Sequence, residues 1–269
     1  MPMSKSRLAW LLPALLSAMP AVAGNRLLFG HDDRVAVVPD RRPWQAIGQL
    51  ESRSGQLCTG TLIAPDIVLS AGHCLIDEHG RFDPAVAFRL AQHGEAQAAL
   101  GEPVLAFVDR RLMDGLSPAR GGGVAISPEA APYDIALVRL RAPIAPAAAT
   151  LPLFGGDARA LRVALRATGW HVSQAGYPED DSGHLKAHLD CKVSALLGSA
   201  RLTHRCDTLG GDSGSPLLLE VAGAPVVAAV QSSAPDAADR ARADNVAVPV
   251  LRLGGALAWL RAADKENAP

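Results

Sequence analysis

The chain has 269 residues, of which 49 % are apolar and 20 % charged, and its formal net charge is −1. That length accommodates one large β domain or two modest ones around a sizeable core, and the composition excludes a disordered chain. No Lys/Arg stripe is present, which excludes nucleic acid as the main partner.

Taken in chain order, residues 1–23 read as an export signal. Lys5 and Arg7 precede an apolar stretch over residues 8–18, and Ala21-Val22-Ala23 supplies the small residues of a cleavage site. Pro13 interrupts the stretch, which is too short to span a bilayer comfortably, and no later segment has the ~20 uncharged apolar residues of a membrane helix. The residue directly after the cleavage site is Gly24 and not a cysteine, so a lipid anchor there is unsupported. A membrane anchor is therefore not expected, and the mature protein is expected in a periplasm or outside the cell.

Downstream, short apolar runs broken by Gly, Pro, Asp and Ser predict many short strands: residues 34–38, 46–50, 61–63, 67–69, 135–140, 217–219 and 226–230. Pro, Ala and Thr dominate residues 143–152, which reads as a crossover between two β domains, 27–145 and 146–263. Residues 114–123 and 234–243 read as surface loops. Helical periodicity is scarce until Leu253, Leu257 and Leu260 fall on one face, which predicts a closing helix over 250–262 and a polar tail over 264–269. The four cysteines of an exported chain suggest two disulfides. Cys58 and Cys74 flank one candidate loop, Cys191 and Cys206 another, although other pairings are formally open. None has C-x-x-C spacing, which argues against a metal site.

The chemistry lies in three segments. Ser213 sits in Thr208-Leu209-Gly210-Gly211-Asp212-Ser213-Gly214-Ser215-Pro216, where glycines on both sides allow a tight turn and bring amide N–H groups close to a substrate carbonyl. A serine hydroxyl needs a neutral imidazole to take its proton, and His73 in Ser70-Ala71-Gly72-His73-Cys74 offers one. Asp134 opens the apolar strand Asp134-Ile135-Ala136-Leu137-Val138, where a buried carboxylate could fix the imidazole tautomer and stabilise the imidazolium.

These segments, with Cys58-Thr59-Gly60-Thr61-Leu62-Ile63-Ala64-Pro65 and Tyr133-Asp134-Ile135-Ala136-Leu137, resemble the chymotrypsin/trypsin family. Within it the chain most resembles the bacterial glutamyl-endopeptidase branch, through Gly30-His31-Asp32-Asp33-Arg34-Val35, Ala175-Gly176-Tyr177-Pro178 and Cys206-Asp207-Thr208. The resemblance implies an all-β fold of two packed six-stranded antiparallel barrels with a cleft between them, and a disulfide joining Cys58 to Cys74. It implies endopeptidase activity through His73, Asp134 and Ser213, with the N–H groups of Gly211 and Ser213 as the oxyanion hole. No metal or organic cofactor is required. The partners implied are protein or peptide substrates and a protein inhibitor, with the enzyme itself a monomer.

Two further expectations rest on the same resemblance. Asp207, six residues before Ser213, resembles the acid at the floor of a trypsin-type pocket, which would favour Arg or Lys before the cleaved bond; Thr208, Val230 and Ser232 would line that pocket. The glutamyl branch instead carries a His on the pocket strand, where this chain places Val230. Removal of a propeptide over residues 24–26 would let the new ammonium of Leu27 pair with Asp212, as in zymogen activation.

Rival readings fare worse. An α/β-hydrolase needs Gly-x-Ser-x-Gly and a later histidine, but Ser215 replaces the last glycine and no histidine follows Ser213. His184 and His188, or His79, lack the glutamate of H-E-x-x-H. A catalytically silent, protease-like binding module would be expected to have lost a triad residue, and all three are retained.

Overall fold

Short strands separated by turns account for most of the chain, which a computed structural model describes over residues 28–119, 124–235 and 239–266. The expected signal, the propeptide and Leu27 lie outside the described residues. In chain order the first strands are β1 (Arg34–Ala36), β2 (Ile47–Ser52), β3 (Leu57–Ala64), β4 (Ile67–Ser70) and β5 (Ala85–Leu90). They continue with β6 (Ala99–Gly101), β7 (Pro103–Val108), β8 (Leu116–Pro118), β9 (Val124–Ile126) and β10 (Ala136–Leu140). The remaining strands are β11 (His171–Gly176), β12 (Lys186–Leu197), β13 (Arg201–His204), β14 (Pro216–Val221), β15 (Ala224–Ser233) and β16 (Asn245–Pro249).

Two seven-stranded antiparallel sheets result, with β8 and β9 forming a separate hairpin. The second sheet runs β1-β12-β11-β14-β15-β16-β13, and pairing of β12 with β13 closes six of its strands into a barrel with β1 on the outside. The first runs β6-β5-β2-β3-β4-β10-β7. Its end strands are consecutive in sequence, separated by Glu102 alone. One residue is too few for a hairpin, so the chain bends there and passes from β5 to β10, making the seam of a curled sheet a bend rather than a ladder. The architecture is the trypsin-like one expected, mostly strands with a C-terminal helix.

The helices depart from expectation in detail. A helix α1 spans Arg110–Asp114, and α2 spans Ala158–Ala167 although no helix was expected there. Asp157 caps α2 by accepting the Ala160 N–H at 2.8 Å, and Leu161 and Leu165, four apart on one face, are buried against the second barrel. The closing helix α3 spans Gly254–Glu266, starting later than predicted because a 3₁₀ turn over Val250–Arg252 precedes it. It also continues to Glu266, into the stretch expected as a tail. Leu253 and Leu260 are buried and Leu257 partly so, as its periodicity requires.

One hydrophobic cluster joins the halves: Leu69 and Leu137 from the first sheet, Val227, Val230 and Val248 from the second, and Leu151 from the crossover. The Leu151 N–H donates to Leu62 O of β3, while the Pro152 carbonyl accepts from Val227 of β15. Disulfides join Cys58 to Cys74 and Cys191 to Cys206, the latter 15 residues apart. A loop of that length removes about 3 kcal/mol of unfolded-state entropy. The double variant Cys191→Ser/Cys206→Ser is expected to lose stability of that order in urea unfolding, without a change in the β-sheet circular dichroism of the folded state.

Candidate active site

Strand β4 ends at Ser70, and a 3₁₀ turn over Gly72–Leu75 carries His73. Gly72 is needed at that turn, because a Cβ there would collide with Leu112 and crowd the Asp134 carboxylate. A second 3₁₀ turn, Ala131–Tyr133, delivers Asp134 just before β10. Asp134 is 0 % exposed. Its Oδ1 accepts the His73 backbone N–H at 2.7 Å, and its Oδ2 lies 2.7 Å from His73 Nδ1. Ser232 Oγ donates to the same Oδ2 at 2.6 Å. Since a carboxylate can only accept, the network assigns the imidazole proton to Nδ1 and leaves Nε2 as the free acceptor. Burial opposes charge on His73, but the adjacent Asp134 carboxylate outweighs it and raises the imidazole above its ordinary range. Burial likewise pushes Asp134 up, and the charge and hydrogen bonds of His73 and Ser232 overcome it, holding the carboxyl below its usual range.

The loop bearing Ser213 is fastened to the first sheet by Thr59. The Thr59 N–H donates to Ser213 O at 2.8 Å, and its Oγ1 donates to Gly211 O at 2.9 Å. Ser70 Oγ in turn donates to Thr59 O at 2.8 Å. Gly211 and Gly214 adopt φ of +86° and +84°, which L side chains rarely tolerate. At Gly214 a Cβ would strike Thr59 O and Ser70 Oγ, so the loop of Ser213 sits on β3 and β4 at backbone distance. Among the described residues the N–H groups of Gly211 and Ser213 find no protein acceptor. Ser213 Oγ makes no hydrogen bond there either, including to His73. Catalytic hydrogen bonds of unliganded sites are often long and tighten only with substrate in place. His73, Gln56, Ile76, Val124, Ser232 and Ser233 line an open hollow of about 490 Å³. A larger hollow of about 780 Å³, beside Trp44, Leu189 and Glu220, contains none of these groups.

The expected pocket residues fall differently. Asp207 Oδ1 accepts the Phe29 N–H at 2.8 Å and Oδ2 the Asp33 N–H at 2.9 Å, so its carboxylate anchors the N-terminal segment. Burial pushes this carboxyl up, but the His188 side chain and the two N–H donors outweigh it and hold it low. Val230, read as substrate-binding, is buried in the cluster between the sheets. Its neighbour Gln231 turns to the other side of the strand, and Ser232 is the residue that reaches Asp134. Gln231 Oε1 lies 2.7 Å from Nε2 of the buried His204, whose pKa burial lowers to about 4. Thr208 Oγ1 receives Asn245 Nδ2 at 3.0 Å. Arg240, inside a stretch read as a surface loop, is buried.

Sequence reasoning missed Thr59, Gln231, Arg240 and Asn245. Thr59 alone had a signal, its place beside Cys58, whose disulfide partner adjoins His73. His184 and His188 have separate partners: His184 Nδ1 lies 2.7 Å from Asp181, and His188 Nδ1 accepts the Asp207 N–H at 2.9 Å. Leu27 lies outside the described residues; Phe29, two residues on, is held at Asp207.

The trypsin family model matches residues 33–254, and the chain belongs to that family. It is 28 % identical over 192 residues to the glutamyl endopeptidase of Bacillus licheniformis, covering 71 % of this chain and 54 % of that protein. It is 25 % identical over 218 residues to trypsin iota of Drosophila melanogaster, covering 73 % of this chain and 75 % of that protein. The chain thus spans about half the length of the Bacillus relative. A solved structure of a Glu endopeptidase in complex with MPD shares the fold, with a TM-score of 0.65 at 17 % identity, over 88 % of this chain and 98 % of that one.

Asp212, next to Ser213, is buried; its carboxylate accepts the Leu209 N–H at 2.9 Å, and burial pushes its carboxyl up to about 7. A raised carboxyl pKa means that the folded state binds the proton more tightly. Its contribution is therefore fully present at low pH and is lost between about pH 4 and 7, by roughly 4 kcal/mol. Urea unfolding across that window is expected to show Asp212→Asn lacking this loss of stability relative to the parent.

Proposed function

We propose that the chain is an exported serine endopeptidase acting through Ser213, His73 and Asp134. The observation that carries this reading is the Asp134–His73 pair: a fully buried carboxylate 2.7 Å from Nδ1, with Nε2 left to accept a proton. His73 Nε2 takes the Ser213 proton as Oγ bonds to the peptide carbonyl carbon, whose π pair moves onto oxygen. The N–H groups of Gly211 and Ser213 receive that oxyanion, each such donor lowering the barrier by roughly 3–4 kcal/mol. The imidazolium, stabilised by Asp134, protonates the leaving amine as the C–N bond breaks. Water then attacks the acyl-enzyme with His73 again as base, and the acid product leaves with Ser213 regenerated.

The side-chain preference follows from Asp207. A preference for Arg or Lys needs a carboxylate free to receive the substrate cation, and both oxygens of Asp207 already serve backbone N–H groups. A preference for an acidic side chain before the cleaved bond, suggested by the name of the Bacillus relative, fits these surroundings better. Proteins and peptides are the substrates, and two disulfides suit an oxidising compartment outside the cytoplasm.

Two measurements test the peptidase reading. Ser213→Ala is expected to abolish labelling by a fluorophosphonate probe and to lower kcat on peptides by about 10⁶-fold. In the parent, kcat/KM is expected to fall on the acid side with an apparent pKa above 6.5, because only neutral His73 can accept the proton. A folded protein inert to the probe would instead be a protease-like binding module.

A further inference from the structure

A cationic side chain is enclosed beside the segment that leads to Ser213. Arg240 is only 7 % exposed. Its Nη1 donates to Asn245 Oδ1 at 2.6 Å, and its guanidinium lies 4.2 Å over the Phe29 ring. Nε and Nη2 are buried, and among the described residues they have no hydrogen-bond partner. Asn245, which holds Arg240, also donates to Thr208 Oγ1 at 3.0 Å and to Cys206 O at 2.7 Å. Arg240 is thereby coupled through one side chain to the segment that leads directly to Ser213. Gln174 belongs to the same group: its Oε1 is 3.1 Å from Thr208 Oγ1, and its Nε2 is a further buried donor without an acceptor.

The cluster has a surplus of donors, and the Asp207 and Asp244 carboxylates act on Arg240 through space without a hydrogen bond to it. No carboxylate oxygen lies within 4.0 Å of Arg240 among the described residues. Asp207 could neutralise it, but its oxygens are taken by Phe29 and Asp33, with His188 Nδ1 3.3 Å from Oδ2. His204, the histidine beside the pocket strand, is bonded to Gln231 and is neutral at pH 7. A buried polar group without a partner is costly, and a buried charge more so. Nε and Nη2 form the edge of the guanidinium whose two N–H bonds run parallel, the edge that matches the two oxygens of a carboxylate.

We propose that Arg240 is the specificity-determining residue of this enzyme, receiving the carboxylate of an acidic substrate residue immediately before the cleaved bond through paired N–H···O bonds from Nε and Nη2. The assignment rests on the peptidase reading and deepens it. Asn245 positions the guanidinium, Phe29 stacks against its face, and Thr208 fixes the distance to the nucleophile loop. A neutral glutamine in the substrate would meet one donor with its carbonyl oxygen and set its own NH₂ group against the other.

The test uses the full chain and matched fluorogenic peptides differing only before the cleaved bond, as Glu, Gln or Lys. The parent is expected to show kcat/KM for Glu at least about 100-fold above Gln, with Lys lower still. Arg240→Gln is expected to bring the Glu/Gln ratio below about 3, and Arg240→Lys, which keeps the charge but loses the fork, to leave it near 10. Labelling of Ser213 by a phosphonate with an uncharged side chain reports whether each variant retains an assembled site. Should Arg240→Gln fail to label, Arg240→Lys and the parent ratio decide. A parent that prefers Lys, or an Arg240→Gln that labels and keeps its Glu preference, would overturn the assignment while leaving the peptidase reading intact. A parent that labels with no probe and cleaves no peptide would overturn both.

Discussion

Asp134 is a carboxylate shut away from water, and the rest of the site is arranged around keeping it charged. It survives there because three donors converge on it: the backbone and ring of His73 and the hydroxyl of Ser232. Those donors come from both halves of the molecule, His73 from the end of β4 and Ser232 from β15. Removing either half would leave a buried charge short of partners. The pairing of the two sheets and the protonation state of the imidazole are thus settled by one set of contacts.

The loop of Ser213 is fastened beside that pair by the backbone and hydroxyl of Thr59. Thr59 grips Gly211 and Ser213, Ser70 grips Thr59, and Gly214 lets the loop lie against both. The Cys58–Cys74 disulfide ties the neighbour of Thr59 to the neighbour of His73. His73 and Ser213, 140 positions apart (213 − 73) in the chain, are therefore referred to the same few residues of β3 and β4. Among the described residues the Ser213 hydroxyl makes no hydrogen bond in that arrangement.

Much of this was legible in the sequence, for reasons that differ from residue to residue. His73, Asp134 and Ser213 sit in segments whose glycines, cysteine and strand-edge position are dictated by local geometry, so their neighbourhoods mark them. The strands were found from alternation and turn residues, and α3 from its leucine spacing. Helix α2 was missed because a stretch rich in Ala and Arg shows only Leu161 and Leu165 as its buried face. Arg240 was taken for loop surface because nothing local says that Asn245, Phe29 and Thr208 enclose it. Asp207 was placed by its offset from Ser213, an offset that fixes the backbone and leaves the carboxylate free to find Phe29 and Asp33. Val230 points into the cluster between the sheets, because successive residues of a strand face opposite sides.

The positive charge of Arg240 and the negative charge of Asp134 make the same demand on the fold, since each is enclosed where only a specific partner justifies it. For Asp134 the partner is internal and present, which makes it the firmest point of the account. The most direct measurement is the imidazole titration of His73 by NMR, in the parent and in Asp134→Asn. With the carboxylate present the ring is expected to titrate above 6.5. With the neutral amide, burial acts unopposed and the pKa is expected to fall below 6.5. A His73 whose titration is the same in both proteins would contradict the central claim.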